Sequence, residues 1–415
     1  MKGKRILLIT DDNYPEGGPG ATFLRLFTLG VVENFKRIDV ILQRGHQFGN
    51  YKKNRRRGNF KNIHYRHSGF SNRPQNYFLK IIDDFCGAFF PLLLILQYSI
   101  NRRVEYIIMY NSNFFLTVFT ILISKLLGIP IFNIVPEFYE KDALGSNRLI
   151  KNLRWFLFTL QIKLLNKKYN GLIVLSHFLK KFYVENGIKE HKIIIQPNFV
   201  DIQIFERSTE PLENKRIRIG YCGSPSRKDG IDDLLKAFSI IQSKHTNNEL
   251  FIIGDSVSNL SVIPGYKKKA QDLNIADKTI FTGLVNYEAI PELLHSCDIL
   301  VLARPSGIFA EAGFPTKLGE YMACKKPVVI TKVGDIPLYL EDNKNAMLAE
   351  PDEPQSVADK IIFLIDNPIE ALNIGKQGYK WAKETLEYKQ ATLGVLNFIE
   401  KKIQNIRITP EINDR

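Results

Sequence analysis

RIRIGYCGSPSRKDGIDDLLKAFSIIQSK, residues Arg216–Lys244, decides the fold. A short β-branched run reaches Tyr221, a polar turn with Gly223 follows, and apolar residues then recur three and four apart. This pattern predicts a strand, a loop and a helix. Its weight comes from its position, because it starts a series that has already run once. Upstream, strands are predicted at Arg5–Thr10, Arg37–Leu42, Asn62–Arg66, Tyr106–Tyr110, Ile131–Val135, Gly171–Leu175 and Lys192–Gln196. Helical stretches such as Thr22–Asn34, Tyr77–Arg103 and Arg148–Lys168 lie between them. Downstream, strands follow at Glu249–Ile253, Thr279–Phe281, Ile299–Ala303, Pro327–Thr331 and Ala346–Ala349. Strands alternating with helices imply right-handed βαβ units and a parallel sheet.

A polar segment, Glu206–Lys215, separates the two series. A chain of 415 residues is also longer than one hydrophobic core usually supports, about 250–300 residues. The expected architecture is α/β, with two Rossmann-like doubly wound domains at residues 1–205 and 216–387. A last helix near Tyr388–Ile406 is expected to pack back on the first domain. Ligands of such sheets bind outside the carboxyl ends of the strands, so the site is expected in the cleft between the domains.

Apolar content of 45% and charged content of 24% are those of an ordinary folded chain. Cys86, Cys222, Cys297 and Cys324 show no CxxC spacing, which argues against a disulfide framework and suits a reducing cytoplasm. The start, MKGKRILLITDD, reads as a first strand and not as a signal peptide. Charge is uneven along the chain. Of 57 basic and 43 acidic residues, 30 and 14 fall at or before Phe205, leaving 27 and 29 beyond it. The basic first half, with its KKNRRR cluster at Lys52–Arg57, calls for an anionic partner such as a membrane surface, a nucleic acid or an acidic polymer. No usual nucleic-acid module is evident. The uncharged runs Phe85–Asn101 and Tyr106–Ser124 are interrupted, by Gly87, Pro91 and Gln97 in one and Asn111–Asn113 in the other. Spanning a membrane is therefore not expected. A helix lying on the membrane surface, flanked by Lys80, Arg102 and Arg103, is one reading; a buried core helix is the other.

Chemistry concentrates in loops that follow predicted strands. RPSGIFAEAGFPTKLGEYMACKKPVVI, Arg304–Ile330, reads as strand end, loop, helix and new strand, with Thr316 as cap or first-turn residue. Lys317 and Glu320 share one face near the helix N-terminus, where free N–H groups and partial positive charge suit a phosphate. Lysine and amides for phosphates with a carboxylate for ribose hydroxyls would suit a nucleotide, although a plain loop–helix junction would look the same. After the restarted strand, Gly223, Ser224, Arg227 and Lys228 can cradle a diphosphate, without forming GxGxxG or a P-loop. Thr282 and Gly283 end another strand in a tight turn where backbone groups could meet a base. Gly17 and Gly18, in the first loop, allow close backbone approach to a ligand. Pro197–Asp201, PNFVD, reads as a structural turn. No DxD motif occurs, and the lone HxxH of His64 and His67 reads as strand surface, so no metal is expected.

Together and in this order, YCGSPSRKDGIDDLLKAF, IVLSHFLKKFYVENGI, KIIIQPNFVDIQIF and GFPTKLGEYMACKKPVV resemble retaining glycosyltransferases of the GT-B fold, family 4. The last stretch resembles a branch with a G-F-P-T-K variant of the donor site. The resemblance implies transfer of a sugar from a nucleoside-diphosphate sugar to a hydroxyl, with retention and without a cofactor. Lys228 would then face the donor phosphates, Glu320 the ribose, and Gly17–Gly18 the sugar or acceptor. One departure stands out. The family's first donor-site glutamate falls on Ala312, with Glu311 beside it, so sugar recognition would pass to the loop Gly313, Phe314, Pro315 and Thr316. Where many relatives have a histidine, this chain reads Ile134–Glu140, and Glu137 is the candidate group facing the reacting sugar. The implied partner is a glycan or lipid-linked acceptor at the cytoplasmic face of an anionic membrane, in polysaccharide or glycolipid synthesis. A sugar-nucleotide epimerase and a catalytically silent sugar-nucleotide binder are the alternatives.

Overall fold

The computed structural model describes residues 4–45, 56–102, 104–138, 140–141, 148–206, 216–256 and 261–408. Lys52–Arg55 of the basic cluster, Arg103 and most of the polar segment after Glu206 lie outside these residues. The chain divides into two compact units. One is Met1–Pro197 with Tyr388–Arg415, and the other is Asn198–Glu387.

The first unit begins β1 (Arg5–Thr10), α1 (Pro19–Glu33), β2 (Ile38–Leu42), β3 (Arg57–Phe60) and β4 (Ile63–His67). It continues α2 (Tyr77–Arg102), β5 (Val104–Tyr110), α3 (Phe114–Leu126) and β6 (Ile131–Val135). Then come α4 (Arg148–Leu160), β7 (Gly171–Val174), α5 (His177–Glu185) and β8 (Ile193–Ile195). The eight strands run β3-β4-β2-β1-β5-β6-β7-β8 across one sheet. All pairs are parallel except β3 with β4, which is antiparallel. This departs from an all-parallel expectation. Arg57–Phe60, RGNF, lacks β-branched residues and alternation, so it does not read as a strand; it forms one as the edge partner of β4.

The central strands are buried on both faces, as parallel strands covered by helices require. Arg5 reaches Asp39 on the neighbouring strand at 2.7 Å, which pairs an otherwise buried carboxylate.

The second unit opens with α6 (Ile202–Phe205), β9 (Ile217–Cys222), α7 (Ile231–Lys244), β10 (Asn248–Ile253) and α8 (Ile263–Asp272). Next are β11 (Thr279–Phe281), α9 (Ile290–His295), β12 (Ile299–Leu302), α10 (Ile308–Ala312) and α11 (Thr316–Ala323). It closes with β13 (Val328–Thr331), α12 (Ile336–Tyr339), β14 (Met347–Ala349), α13 (Pro354–Asp366) and α14 (Pro368–Thr385). Its six strands are all parallel, in the order β11-β10-β9-β12-β13-β14. That is the doubly wound order, whose direction of winding reverses between β9 and β12.

The boundary differs from a cut at residue 205. Asn198–Phe205 belong with the second unit, because the Val200 N–H donates to the Leu386 carbonyl at 2.9 Å and α6 packs on α11. The final helix, α15 (Tyr388–Ile408), belongs to the first unit and packs on α1. Gly30 permits the approach: a Cβ there would stand 2.3 Å from Thr392 Oγ1 and 2.9 Å from the Tyr388 carbonyl oxygen.

Candidate functional site

In the second unit the candidate residues collect where the winding reverses. β9 ends at Cys222, whose N–H donates to Tyr321 Oη of α11 at 2.6 Å. Gly223 follows with φ +147°, and its N–H donates to the Ile253 carbonyl at 2.8 Å. A Cβ at Gly223 would lie 2.1 Å from Lys317 Cε, so any side chain there would displace that lysine, and the positive φ favours glycine as well. Lys317, in the first turn of α11, donates to both carboxylate oxygens of Asp229 at 3.1 Å. Tyr221 Oη also donates to Asp229, at 2.8 Å. Burial pushes the Asp229 carboxyl up, but the Lys317 ammonium, the hydrogen bonds from Tyr221 and Lys317, and the Arg304 guanidinium outweigh it. Its pKa is held below the usual carboxylate range, so Asp229 is ionised at neutral pH.

Gly230 then turns the chain into α7 with φ +71°, lying so close to the Ala303 carbonyl oxygen that a Cβ would stand 1.5 Å from it. This contact sets the β9 loop directly on the end of β12. Arg304, which follows that strand, is 6% exposed. Its Nη1 has no hydrogen-bond partner, and its Nη2 approaches the Phe309 carbonyl at 3.5 Å. Burial lowers its pKa, with Asp229 and Glu311 opposing that effect. A buried guanidinium that is only partly compensated is costly to keep. Its guanidinium carbon lies 5.7 Å from the centre of the Phe309 ring, and Lys228 Nζ stands 4.3 Å from the same centre.

The remaining donor-side candidates are near this corner. The Gly254 N–H donates to Thr282 Oγ1 at 3.0 Å, and Gly254 closes on the Gly223 carbonyl, where a Cβ would be 2.5 Å away. Gly283 follows Thr282 with φ +75°. Glu320 lies close enough to β9 that its charge, after burial, helps push the Cys222 thiol up. The Gly313 N–H donates to the Phe309 carbonyl at 3.2 Å. The Phe314 carbonyl accepts from Asn198 Nδ2, and the Phe314 ring meets Tyr339 edge-on at 5.7 Å. Pro315 precedes Thr316 at the start of α11, which has no side-chain cap on its first-turn amides; the Leu318 N–H donates to the Pro315 carbonyl at 3.3 Å. Glu311 turns to the Gly334 N–H at 3.3 Å. Ser224, Arg227 and Lys228 are exposed.

Two telling residues, Asp229 and Arg304, were not among the sequence candidates. Asp229 meets Lys317 across 88 residues. Arg304 looks like an ordinary strand-end arginine until the fold buries it, although an arginine directly after the apolar run ILVLA is the available hint.

In the first unit, the carboxyl ends of β1 and β6 carry Asp11, Asp12 and Glu137. Burial pushes the Asp11 carboxyl up to about 7; Arg44, at 3.5 Å, opposes this, and Asp12 adds to it. Asp12 is raised by burial and then by Glu137. Glu137 itself is exposed. Gly17 has φ +153° and sits against Asn13, while Gly18 precedes α1 with open space beside it.

The second unit's stretch from residue 203 to 381 matches the family model described as Glycosyl transferases group 1. Residues 203–381 form a glycosyl transferases group 1 domain. Among relatives, the chain is 24% identical to the capsular polysaccharide biosynthesis glycosyltransferase CapM of Staphylococcus aureus, over 56% of this chain and 61% of that one. The chain thus spans under two thirds of that relative's length. Among solved structures, sucrose-phosphate synthase from Thermosynechococcus elongatus matches with TM-score 0.74 at 14% identity, covering 97% of this chain and all of that one. HepE from Anabaena, in complex with UDP and glucose, matches with TM-score 0.68 at 16% identity, over 96% of this chain and 100% of its own. At such identities the likeness establishes the fold, which is the GT-B fold of these glycosyltransferases. In the group 1 domain of this chain, the β9 loop, Arg304 and the start of α11 form one continuous corner.

Proposed function

We propose that this protein is a retaining glycosyltransferase. In this reading it moves a sugar from a nucleoside-diphosphate sugar to a hydroxyl of a glycan or lipid-linked acceptor. The observation that carries the reading is the corner built by Gly223, Asp229, Arg304 and Lys317 at the reversal of the second sheet. A departing diphosphate needs fixed positive charge, and preorganised electrostatics of this kind can contribute several kcal/mol. Lys317, held by Asp229, with Arg304 behind it, Lys228 outside it and the uncapped amides of α11, would supply that charge without a metal. Glu320 would take the ribose, and Thr282 with Gly283 the base.

The group 1 match and the UDP bound by HepE, a protein of the same fold, support a nucleotide-sugar donor. Lacking a glutamate at Ala312, the loop Gly313–Thr316 would read the sugar through its backbone, with Glu311 at its border. In the first unit, Glu137 and the Gly17–Gly18 turn would face the acceptor or the reacting sugar.

The name of CapM supports an acceptor in surface-polysaccharide synthesis. Such acceptors are membrane-borne, and the first unit has a surface to suit that. α4 has no buried residue, exposes Leu149, Leu153 and Phe156, and carries Arg148, Lys151 and Arg154 without an acidic residue. α2 exposes Phe78, Phe85 and Leu93. Among the described residues no helix is long and apolar enough to cross a membrane. The reading is therefore peripheral attachment at a cytoplasmic, anionic face.

Purified protein incubated with UDP-, GDP- and ADP-sugars and a lipid-linked saccharide, followed by mass spectrometry, tests the reaction. A mass-shifted acceptor, still formed in EDTA, is expected. Donor isomerisation without transfer would identify an epimerase instead, and donor binding without turnover a silent protein.

A further inference from the structure

The basic cluster that the sequence singles out finds no use in the chemistry above. Its described end, Arg56 and Arg57, sits at the start of the edge strand β3, with Arg66 on β4. Arg57 and Arg66 are direct partners in the antiparallel register. Like charges facing each other across strands destabilise a hairpin. No carboxylate among the described residues forms an ion pair with Arg56, Arg57 or Arg66, and Arg66 Nε is buried without a hydrogen-bond partner. Burial, followed by Arg57 and Arg56, lowers the proton affinity of Arg66.

These guanidiniums line two adjoining cavities between the hairpin and α2. The larger, about 390 Å³, is walled by Arg57, His64, Tyr65, Arg66 and Tyr98. The smaller, about 230 Å³, shares Arg66 and Gln97 with it and is floored by Phe90, Leu93 and Leu94. Gly58 makes room for the wall: a Cβ there would stand 2.2 Å from the Tyr65 ring. Phe90 and Leu93 are 38% and 49% exposed, so the apolar floor runs out onto the surface of α2.

We propose that this double cavity binds the phosphate head of a lipid, with Arg57 and Arg66 on the phosphate and the hydrocarbon chain along Phe90, Leu93 and Leu94. Guanidinium forks match phosphate oxygens in pairs, and an anion between them removes the repulsion that the bare hairpin carries. An apolar floor against the cationic pocket selects an amphiphile over free phosphate. A nucleic-acid backbone would instead need cations spread along a track. The site deepens the reading of a lipid-linked acceptor and rests on it only for which lipid is bound.

The test is calorimetric titration of the full chain with farnesyl diphosphate, and separately with inorganic pyrophosphate. A Lys317→Ala background keeps the proposed donor corner out of the measurement. Farnesyl diphosphate is expected to bind, with pyrophosphate at least about tenfold weaker. Arg57→Gln and Arg66→Gln should each weaken farnesyl diphosphate by about tenfold or more. Leu93→Ser should weaken it while leaving pyrophosphate unchanged. Thermal melting checks the fold of each variant, and the exposed Arg57 keeps the test valid if Arg66→Gln unfolds. Unchanged affinity in Arg57→Gln, or pyrophosphate binding as tightly as farnesyl diphosphate, would overturn the proposal. Since no sugar nucleotide is present, failure here leaves the transfer reaction standing, and loss of transfer leaves this site standing.

Discussion

The two sheets share a winding rule but end in opposite charge. The carboxyl ends of the first unit's central strands carry Asp11, Asp12 and Glu137, and burial, with repulsion behind it, raises Asp11 and Asp12. The corresponding ends in the second unit carry Lys317, Arg304 and Lys228, with Asp229 ionised against Lys317. Parallel strands offer the same geometric opening in both, so the fold alone does not choose the ligand. The side chains just past each strand do. Fixed cations suit a leaving diphosphate, whereas carboxylates suit hydroxyls that must be held or deprotonated.

The sharpest way to break this comparison is to remove the inner cation. Lys317→Ala should lower transfer by about 10²–10³-fold, the scale of losing one preorganised electrostatic contact. Lys228→Ala, whose ammonium lies over the Phe309 ring, should cost only about tenfold. Initial rates with a fixed acceptor compare the two. A larger loss for Lys228 would move the diphosphate to the outer side of the β9 loop.

Arg304→Met comes next. It should weaken donor binding by about tenfold, since the guanidinium is second to Lys317 in reaching the corner, and charged contacts are worth about 1.5–3 kcal/mol. Its effect on stability should run the other way. Replacing a buried guanidinium whose Nη1 has no hydrogen-bond partner by an apolar side chain of similar length is expected to hold or raise Tm. Loss of donor binding together with a large fall in Tm would make Arg304 a structural residue instead.

These residues also mark what the sequence could and could not disclose. The fold was legible because each buried parallel strand is a short β-branched run, and the restart at Arg216 shows plainly in the spacing. Thr316 at the head of α11 and the glycines at 223 and 283 were legible for the same local reason. Edge strand β3 was not, because RGNF has neither alternation nor branching and owes its shape to β4. Nor were the pairs that define the sites. Asp229 meets Lys317 across 88 residues, and Arg57 opposes Arg66 only once the hairpin register is set. Arg304 is buried beside the place where Gly230, at the head of α7, packs against the Ala303 carbonyl, a contact between residues far apart in sequence that no local pattern encodes.

The acidic end of the comparison has a pH signature. Asp11 titrates near 7 in the folded protein against about 3.8 unfolded. Between those values the native state binds more protons than the unfolded chain, so this group's contribution falls as pH rises from about 4 to 7 and is flat above. Asp11→Asn mimics the protonated form. It should leave Tm unchanged near pH 4 and raise stability at pH 8, by at most about 4 kcal/mol at roughly 1.4 kcal/mol per unit. Melting curves at the two pH values decide it. Equal stabilisation at both would mean that the Asp11 charge is not the burden its burial implies.

The smallest expected effect tests whether the acidic end acts as one group. Burial is the first cause of the raised Asp12 pKa and Glu137 the second, so Glu137→Gln should lower the Asp12 pKa without restoring its ordinary value. Carbon-detected NMR titration of carboxyl-labelled protein reads this directly. Because Glu137 is exposed, its own loss should barely change Tm, as surface substitutions usually shift stability by under about 0.5 kcal/mol. A drop in transfer rate with Tm unchanged and Asp12 shifted down would tie Glu137 to the reacting sugar through its field on Asp12. If Asp12 does not move, the two carboxylates act separately, and the contrast between the sheet ends narrows to Asp11 and Asp12.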